Sequence, residues 1–433
     1  MKKFLNTVSA FQFFQLVRYS TLVLIGIVFT KTALTQEAIG EYETFVFLAG
    51  AVSFFWLNGL LKALLPLSSE ETNSKYALFS GFVLISFFSV LVAILLFAIQ
   101  PVFSSLLLNG KNIPDFFLLI VYLVFGIPAN LAEYIYLVKK KNKALMLYAI
   151  VSFFIQFLMI VVPSVLGYAI QVSLYGLVVS AFLRYLWLWI LFIYYRKISF
   201  SFSFVKRHLK LGGPLVAATF LSGSARFVDG FIVTSRFDES TFAVFRYGAR
   251  ELPLAMLLAN ALSSAMLPEF ARKDRLTENL AKLKKSVTRL MHILFPVTAF
   301  LLVVSHPVFP VLFNPQFSES ATIFNIYLLL IISRLLMPQT ILNGLKYSGE
   351  IMLASFFELV LNVALSLIFV QFWGIAGIAF ATFLAYLFEK VILSVAVWKK
   401  LRINLSAYLQ VKYFVFYSTG VLVVFIFAEM FIK

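Results

Sequence analysis

"SGEIMLASFFELVLNVALSLIFVQFWGIAGIAFATFLAYLFEK" occupies residues 348–390. It contains most of two apolar runs, 351–373 and 375–398, with only Gly374 between them. A helix needs about twenty apolar residues to cross the hydrocarbon layer of a bilayer. Each run meets that length, and neither alternates apolar with polar as a barrel strand does. Lipid offers no partner to a bare amide, so a run of this kind crosses as a helix. The stretch therefore reads as a pair of membrane spans, and the rest of the chain can be tested for the same pattern.

The pattern recurs along all 433 residues, of which 62% are hydrophobic and 13% charged. A soluble domain is about 45–50% apolar and about 25% charged. Spans are predicted at 9–33, 42–67, 77–100, 116–138, 144–164, 172–196, 210–234, 242–267, 287–312, 321–345, 351–373, 375–398 and 409–432. The expected class is an all-α integral membrane protein with about 12–13 transmembrane helices, the last run deciding between the two counts. The first run follows Lys2 and Lys3, is too long for a signal-peptide core, and reads as a retained span.

The net charge of +17 would suggest nucleic acid in a soluble protein, but here it follows the loops. Basic residues concentrate in 139–143, 196–210, 272–289 and 399–412. With a cytoplasmic N-terminus, about 25 of the 36 Lys and Arg fall inside and about 4 outside. The outer loops are short and often acidic, as in "TQEAIGEYE" (35–43) and "RFDES" (236–240). No loop is long enough to form a large soluble catalytic domain, so the expected protein is not an enzyme. The absence of cysteine excludes disulfides and thiol chemistry. His208, His292 and His306 have no metal-ligand spacing, and no metal or other cofactor is expected.

An internal repeat is visible. "KNKALMLYAIVSFFIQFLMIVV" (141–162) aligns with "SGEIMLASFFELVLNVALSLIF" (348–369), Met146 on Met352 and Gln156 on Asn362. A glycine-bearing span follows each segment, and a span with a central proline, Pro128 or Pro338, precedes it. The halves have the same orientation, so the repeat is parallel, as in transporters whose substrate site lies between two lobes. The expected divisions are 1–200 and 201–400 as two six-helix lobes, then 401–433 as a linker and an additional helix.

The charges inside the spans carry the functional reading. Arg18, Arg184, Arg226, Arg246, Arg250, Arg334 and Lys390 all fall within apolar runs. An arginine at a helix centre costs about 2.5–3.5 kcal/mol to insert, so several of these need partners, water or a function. Arg246 and Arg250 share a helix face if the helix is continuous, and like charges there repel. Among the acids, Glu133 and Glu389 read as interfacial, Glu251 only partly offsets its neighbours, and Asp229 and Glu358 are candidates for binding H⁺ or Na⁺. The arginines predict a cation-rich cavity, and an arginine fork matches phosphate oxygens in charge and geometry.

Four stretches carry a family resemblance: "LTQEAIGEYETF" (34–45), "VDGFIVTSRFDESTFAVFRYGARELPL" (228–254), "SSAMLPEFAR" (263–272) and "LNVALSLIFVQFWGIAGIAFAT" (361–382). On these residues the chain resembles the polysaccharide and O-antigen flippases of the multidrug/oligosaccharidyl-lipid/polysaccharide exporter superfamily. It departs where the family often carries Asp-Arg, reading Asp229-Gly230 here, and in the odd number of spans. The resemblance implies two pseudo-symmetric six-helix lobes around a central cavity, as in the MATE exporters. It implies a polyprenyl-diphosphate-linked oligosaccharide as substrate, moved from inner to outer leaflet of a bacterial cell membrane by alternating access. Arg18, Arg184, Arg226, Arg246, Arg250 and Arg334 are the matching head-group contacts. A polysaccharide polymerase and other assembly proteins are the implied partners, with one chain sufficient for the pathway. The alternative expectation is an ion-coupled drug or metabolite antiporter of the MATE type, whose cavity would be acidic rather than basic.

Overall fold

The computed structural model describes residues 7–69, 76–108, 110–196, 198–250, 253–270 and 275–432. Among them every regular element is a helix, and the chain divides into two compact units, residues 1–243 and 244–433.

The first unit holds α1 (Thr7–Phe29), α2 (Gln36–Ser69), α3 (Ala77–Leu107), α4 (Phe116–Ala129), α5 (Leu131–Val138), α6 (Asn142–Val165), α7 (Ile170–Tyr194), α8 (Phe202–Gly223) and α9 (Ala225–Arg236). The border falls within α10 (Glu239–Gly248). The second unit holds α11 (Pro253–Phe270), α12 (Leu276–Leu312), α13 (Glu319–Leu328), α14 (Leu330–Arg334), α15 (Pro338–Gly344), α16 (Ser348–Leu401), α17 (Leu405–Tyr408) and α18 (Val411–Phe431). Packing groups α8 and α9 with α2 and α3 in the first unit, whereas the sequence repeat assigns them to the second lobe.

Nine helical segments among the described residues are long and apolar enough to cross a membrane, α4 with α5 counted as one and α16 as one, and α13–α14 with α15 make a tenth, bent by 48°. Their outer surfaces are apolar in a way water would not tolerate. Phe97 of α3, Phe117 of α4 and Phe416 and Phe431 of α18 are each more than 60% exposed. Exposed aromatics in such numbers belong to a lipid-facing surface. Inside the first unit the largest buried side chains include Phe14, Phe45, Trp56 and Tyr148; inside the second they include Tyr247, Phe295, Phe317 and Tyr408.

Two hairpins explain the repeat physically. A straight helix of 54 residues would be about 80 Å long, far more than a bilayer core of about 30 Å. Helix α16 is accordingly broken at Gly374, whose φ of +56° and ψ of −137° suit glycine and few other residues. The chain reverses there, and its two arms pair in antiparallel register. Asn362 Nδ2 donates to Thr382 Oγ1 at 2.8 Å, and Ser355 Oγ to Glu389 Oε1 at 3.2 Å. A Cβ on Gly377 would lie 2.3 Å from the Phe369 carbonyl oxygen, so the arms touch backbone to backbone. In the first unit α6 and α7 do the same. Ser173 Oγ donates to the Ile160 carbonyl at 2.8 Å, and a Cβ on Gly176 would lie 2.0 Å from the Met159 carbonyl oxygen. Small residues that let helix backbones approach closely are the usual means of association where no hydrophobic drive exists between helices.

The last apolar run, expected at 409–432, forms α18 and packs along α12. Tyr417 stacks on Phe295 with centroids 5.4 Å apart, and its hydroxyl meets His292 Nδ1 at 2.7 Å. Four expected spans are interrupted, 116–138 among them, divided between α4 and α5. The run 210–234 divides between α8 and α9, 242–267 between α10 and α11, and 321–345 among α13, α14 and α15.

Gly176→Ala and Gly377→Ala should each lower stability by about 1–3 kcal/mol through overpacking. Gly420 in α18 has open space around its Cβ position, and Gly420→Ala should cost nothing. Thermal unfolding of the three variants in one detergent checks this, and equal melting temperatures would contradict the close-approach assignment.

Candidate functional site

In the first unit the decisive side chain is Arg184. It lies in the middle of α7 and is 8% exposed. A buried guanidinium needs acceptors, and two neutral groups supply them. Its Nη2 donates to Asn130 Oδ1 at 3.0 Å, and its Nε to the Tyr148 hydroxyl at 3.3 Å. The Phe153 ring lies beneath, with its centroid 5.5 Å from the guanidinium carbon. Asn130 is available because the helix is interrupted there: Pro128 closes α4 and α5 begins at Leu131. Tyr148 is held by Phe14, Tyr136 and Trp187, and Trp187 Nε1 in turn donates to the Tyr136 hydroxyl at 3.0 Å.

Glu133, one turn past that break, is buried at 2% exposure. Its carboxylate feels the positive charges of Arg184 and of Arg18, which is exposed on α1. Asp229 is buried in α9 at 2% exposure. The Arg226 side chain lies outside the described residues.

In the second unit the cations gather where helices stop. Helix α10 ends at Gly248 and α11 starts at Pro253, because a proline disfavours helical geometry in the residue before it and suits the first turn after it. Arg250 therefore stands past the helix end, not one turn beyond Arg246 on the same face. Its guanidinium carbon lies 4.4 Å from the centroid of the Tyr247 ring, a cation–π contact. Glu251 lies outside the described residues. Arg334 closes α14, where a cation complements the carbonyl end of the helix. Three residues later Met337 takes a φ of +51° and Pro338 opens α15. Arg334 also lines a small cavity of about 20 Å³ with Thr298, Tyr327 and Ile331.

Two acids of the second unit sit on the α16 hairpin. Glu358 is buried at 3% exposure, one turn from Asn362. Glu389 is buried and pairs with Lys390 at 2.6 Å, and the ammonium also reaches Gln339 Oε1 at 3.1 Å. A third acid was not singled out from sequence. Glu429 of α18 accepts from His306 Nε2 at 2.9 Å, Asn325 Nδ2 at 2.7 Å and Thr322 Oγ1 at 2.9 Å. Ser305 Oγ completes the network on Asn325 Oδ1 at 2.7 Å. Among the described residues no group of three or more acidic or histidine side chains has metal-binding geometry.

Apolar helices interrupted at charged, proline-marked breaks define a multi-spanning membrane protein built to hold charge within the bilayer. A family model described as "Polysaccharide biosynthesis protein" matches residues 16–322, and the chain belongs to that family. Comparison with curated proteins finds no match. Among solved structures, "Lipid II flippase MurJ, inward closed conformation" is similar at a TM-score of 0.71 and 17% identity, over 96% of this chain and 92% of that one. An inward-facing MATE-family multidrug resistance transporter of the MOP superfamily is similar at 0.64 and 17% identity, over 89% and 94%. A MOP-superfamily transporter from Pyrococcus furiosus, described as having a binding pocket of reverse polarity, is similar at 0.58 and 16% identity, over 93% and 96%. The likenesses establish the MOP fold expected from sequence.

Asn130→Ala should cost about 1–3 kcal/mol, because it leaves a buried donor of Arg184 without its acceptor. Asn130→Asp, which keeps an acceptor, should cost less. Unfolding midpoints of the two variants against the parent decide the order, and equal losses would contradict it.

Proposed function

We propose that the protein is a flippase for a polyprenyl-diphosphate-linked oligosaccharide, the repeat unit of an O-antigen, capsule or exopolysaccharide. In this reading it works in a bacterial inner membrane with its N-terminus in the cytoplasm and moves the lipid from inner to outer leaflet by alternating access. It acts as a transporter, not an enzyme.

The observation that supports this most is the placement of Arg250 and Arg334. Both stand at helix breaks shortly before a proline, Pro253 and Pro338. Irregular backbone at membrane depth is tolerated where it is buried in protein or lines a water-filled cavity, not against lipid. Discontinuous helices of that kind mark the substrate sites of transporters. A cation at such a break is suited to an anionic head group, and a diphosphate offers the oxygens that a guanidinium fork takes in pairs. Arg18, Arg184, Arg226 and Arg246 complete the set of proposed contacts, Arg184 from within its bonded network. Asp229 and Glu358, both buried, are the proposed sites for a coupling H⁺ or Na⁺. Polymerase and assembly proteins are the proposed partners of a functional monomer. The antiporter reading predicts an acidic cavity, and the excess of cations among the intramembrane charges speaks against it.

Purified protein in liposomes holding a polyprenyl-diphosphate oligosaccharide should expose inner-leaflet glycan to an external glycan-cleaving enzyme faster than protein-free liposomes do. Arg250→Ala and Arg334→Ala should each slow exposure roughly ten- to a hundredfold, from about 1.5–3 kcal/mol for a hydrogen bond to a charged group. Lysine at either position should restore part of the rate if paired contacts matter. Normal rates in both inserted alanine variants would sink the cationic-site model.

A further inference from the structure

Glu133 is a buried acid that the proposed transport cycle leaves without a role. Its Oε2 has no hydrogen-bond partner, although the side chain is 2% exposed. An ionised carboxylate in that condition is costly, and a neutral carboxyl far less so. Two cations act in the opposite sense. From α7, Arg184 faces it, and from α1, Arg18; from α6, the Tyr148 hydroxyl lies close enough to interact with it. On its own helix Tyr134 is its titratable neighbour, and no charged group of α2, which also packs against α5, acts on it. Desolvation thus disfavours the ionised form of Glu133, and the two guanidinium charges favour it.

The bonding of Arg184 sharpens the point. Asn130 and Tyr148 satisfy two of its donors but carry no charge. Glu133 is therefore the acid whose charge balances the Arg184–Arg18 pair in this part of the first unit. Among the described residues it forms no ion pair with either arginine, so a proton on Oε2 displaces no salt bridge. Arg184 is fixed by its bonds, whereas Arg18 is exposed on α1.

We propose that Glu133 is a proton-binding site that governs how strongly Arg18 holds an anionic head group. With Glu133 ionised, its negative charge offsets Arg18 and Arg184. Once Oε2 takes up one H⁺ from water, the pair carries uncompensated positive charge and attracts a diphosphate more strongly. Coupling of this kind is reciprocal: the anion raises proton affinity by the factor by which the proton raises anion affinity. Arg18 is the exposed contact in this scheme, and Arg184 adds its charge from within its bonded network. The proton site stands on the geometry of the first unit; its linkage to a diphosphate rests on the proposed flippase function.

Two readouts on the full-length protein separate these. Infrared difference spectra recorded across the physiological pH range, without lipid, should show a protonated-carboxyl carbonyl band that titrates and is missing in Glu133→Gln. Binding of a fluorescent polyprenyl diphosphate should tighten roughly tenfold on acidification in the parent and stay tight at every pH in the variant. A band that persists in Glu133→Gln, or fails to titrate in the parent, overturns the proposal. A titrating band with no polyprenyl-diphosphate binding at any pH supports the proton site and overturns the flippase reading. Arg18→Gln is the second variant if Glu133→Gln does not fold. It removes one cation facing Glu133, so the band's midpoint should move to higher pH, and an unmoved midpoint overturns the proposal.

Discussion

A guanidinium placed inside a hydrocarbon layer must find acceptors or water, and much of this structure can be traced to that requirement. Arg184 meets it with an asparagine at a helix break and a tyrosine held by three aromatic rings. Arg250 meets it by leaving the helix and lying on Tyr247. Arg334 meets it at the carbonyl end of a short helix. In each case the cost of the charge is offset at a helix break or end, and for Arg184 and Arg250 by an aromatic face as well. Helix breaks and intramembrane cations are thus one feature seen from two sides.

Against that local irregularity stand the two hairpins, α6–α7 and the arms of α16. They are regular, tightly apposed and poor in charge over most of their length. Their backbones meet at Gly176 and Gly377, where a side chain would collide with a carbonyl. Each unit therefore combines a stiff element with an interrupted one, and the proposed contacts Arg250 and Arg334 stand at interruptions while Arg184 and Glu358 sit on the stiff hairpins.

Much of this was legible in the sequence. Run length and charge asymmetry pointed to the helices, and Gly374 separated two expected spans at the point where the chain reverses. The Met146/Met352 alignment led to both hairpins. The breaks were not read, although Gly248 with Pro253, and Met337 with Pro338, carry ordinary helix-stop signals. Mean apolarity is blind to a three- or four-residue interruption, and so sequence alone puts Arg246 and Arg250 on one face. Asn130 and Tyr148 could not be assigned to Arg184, because the bonds span 54 and 36 residues and leave no local trace. Glu429 could have been flagged as an acid inside the last apolar run, but its link to His306 crosses 123 residues.

That last network bears on how the second unit is made. His306, Asn325 and Thr322 all precede α18 in the chain, and Glu429 lies near the far end of that helix. Until α18 has been inserted, three polar side chains on α12 and α13 lack the carboxylate that unites them. A nascent chain halted before α18 would present that cluster to lipid or to the insertion machinery. The carboxylate of α18 therefore closes this part of the second unit, and a chain lacking α18 would leave His306, Asn325 and Thr322 without their common partner.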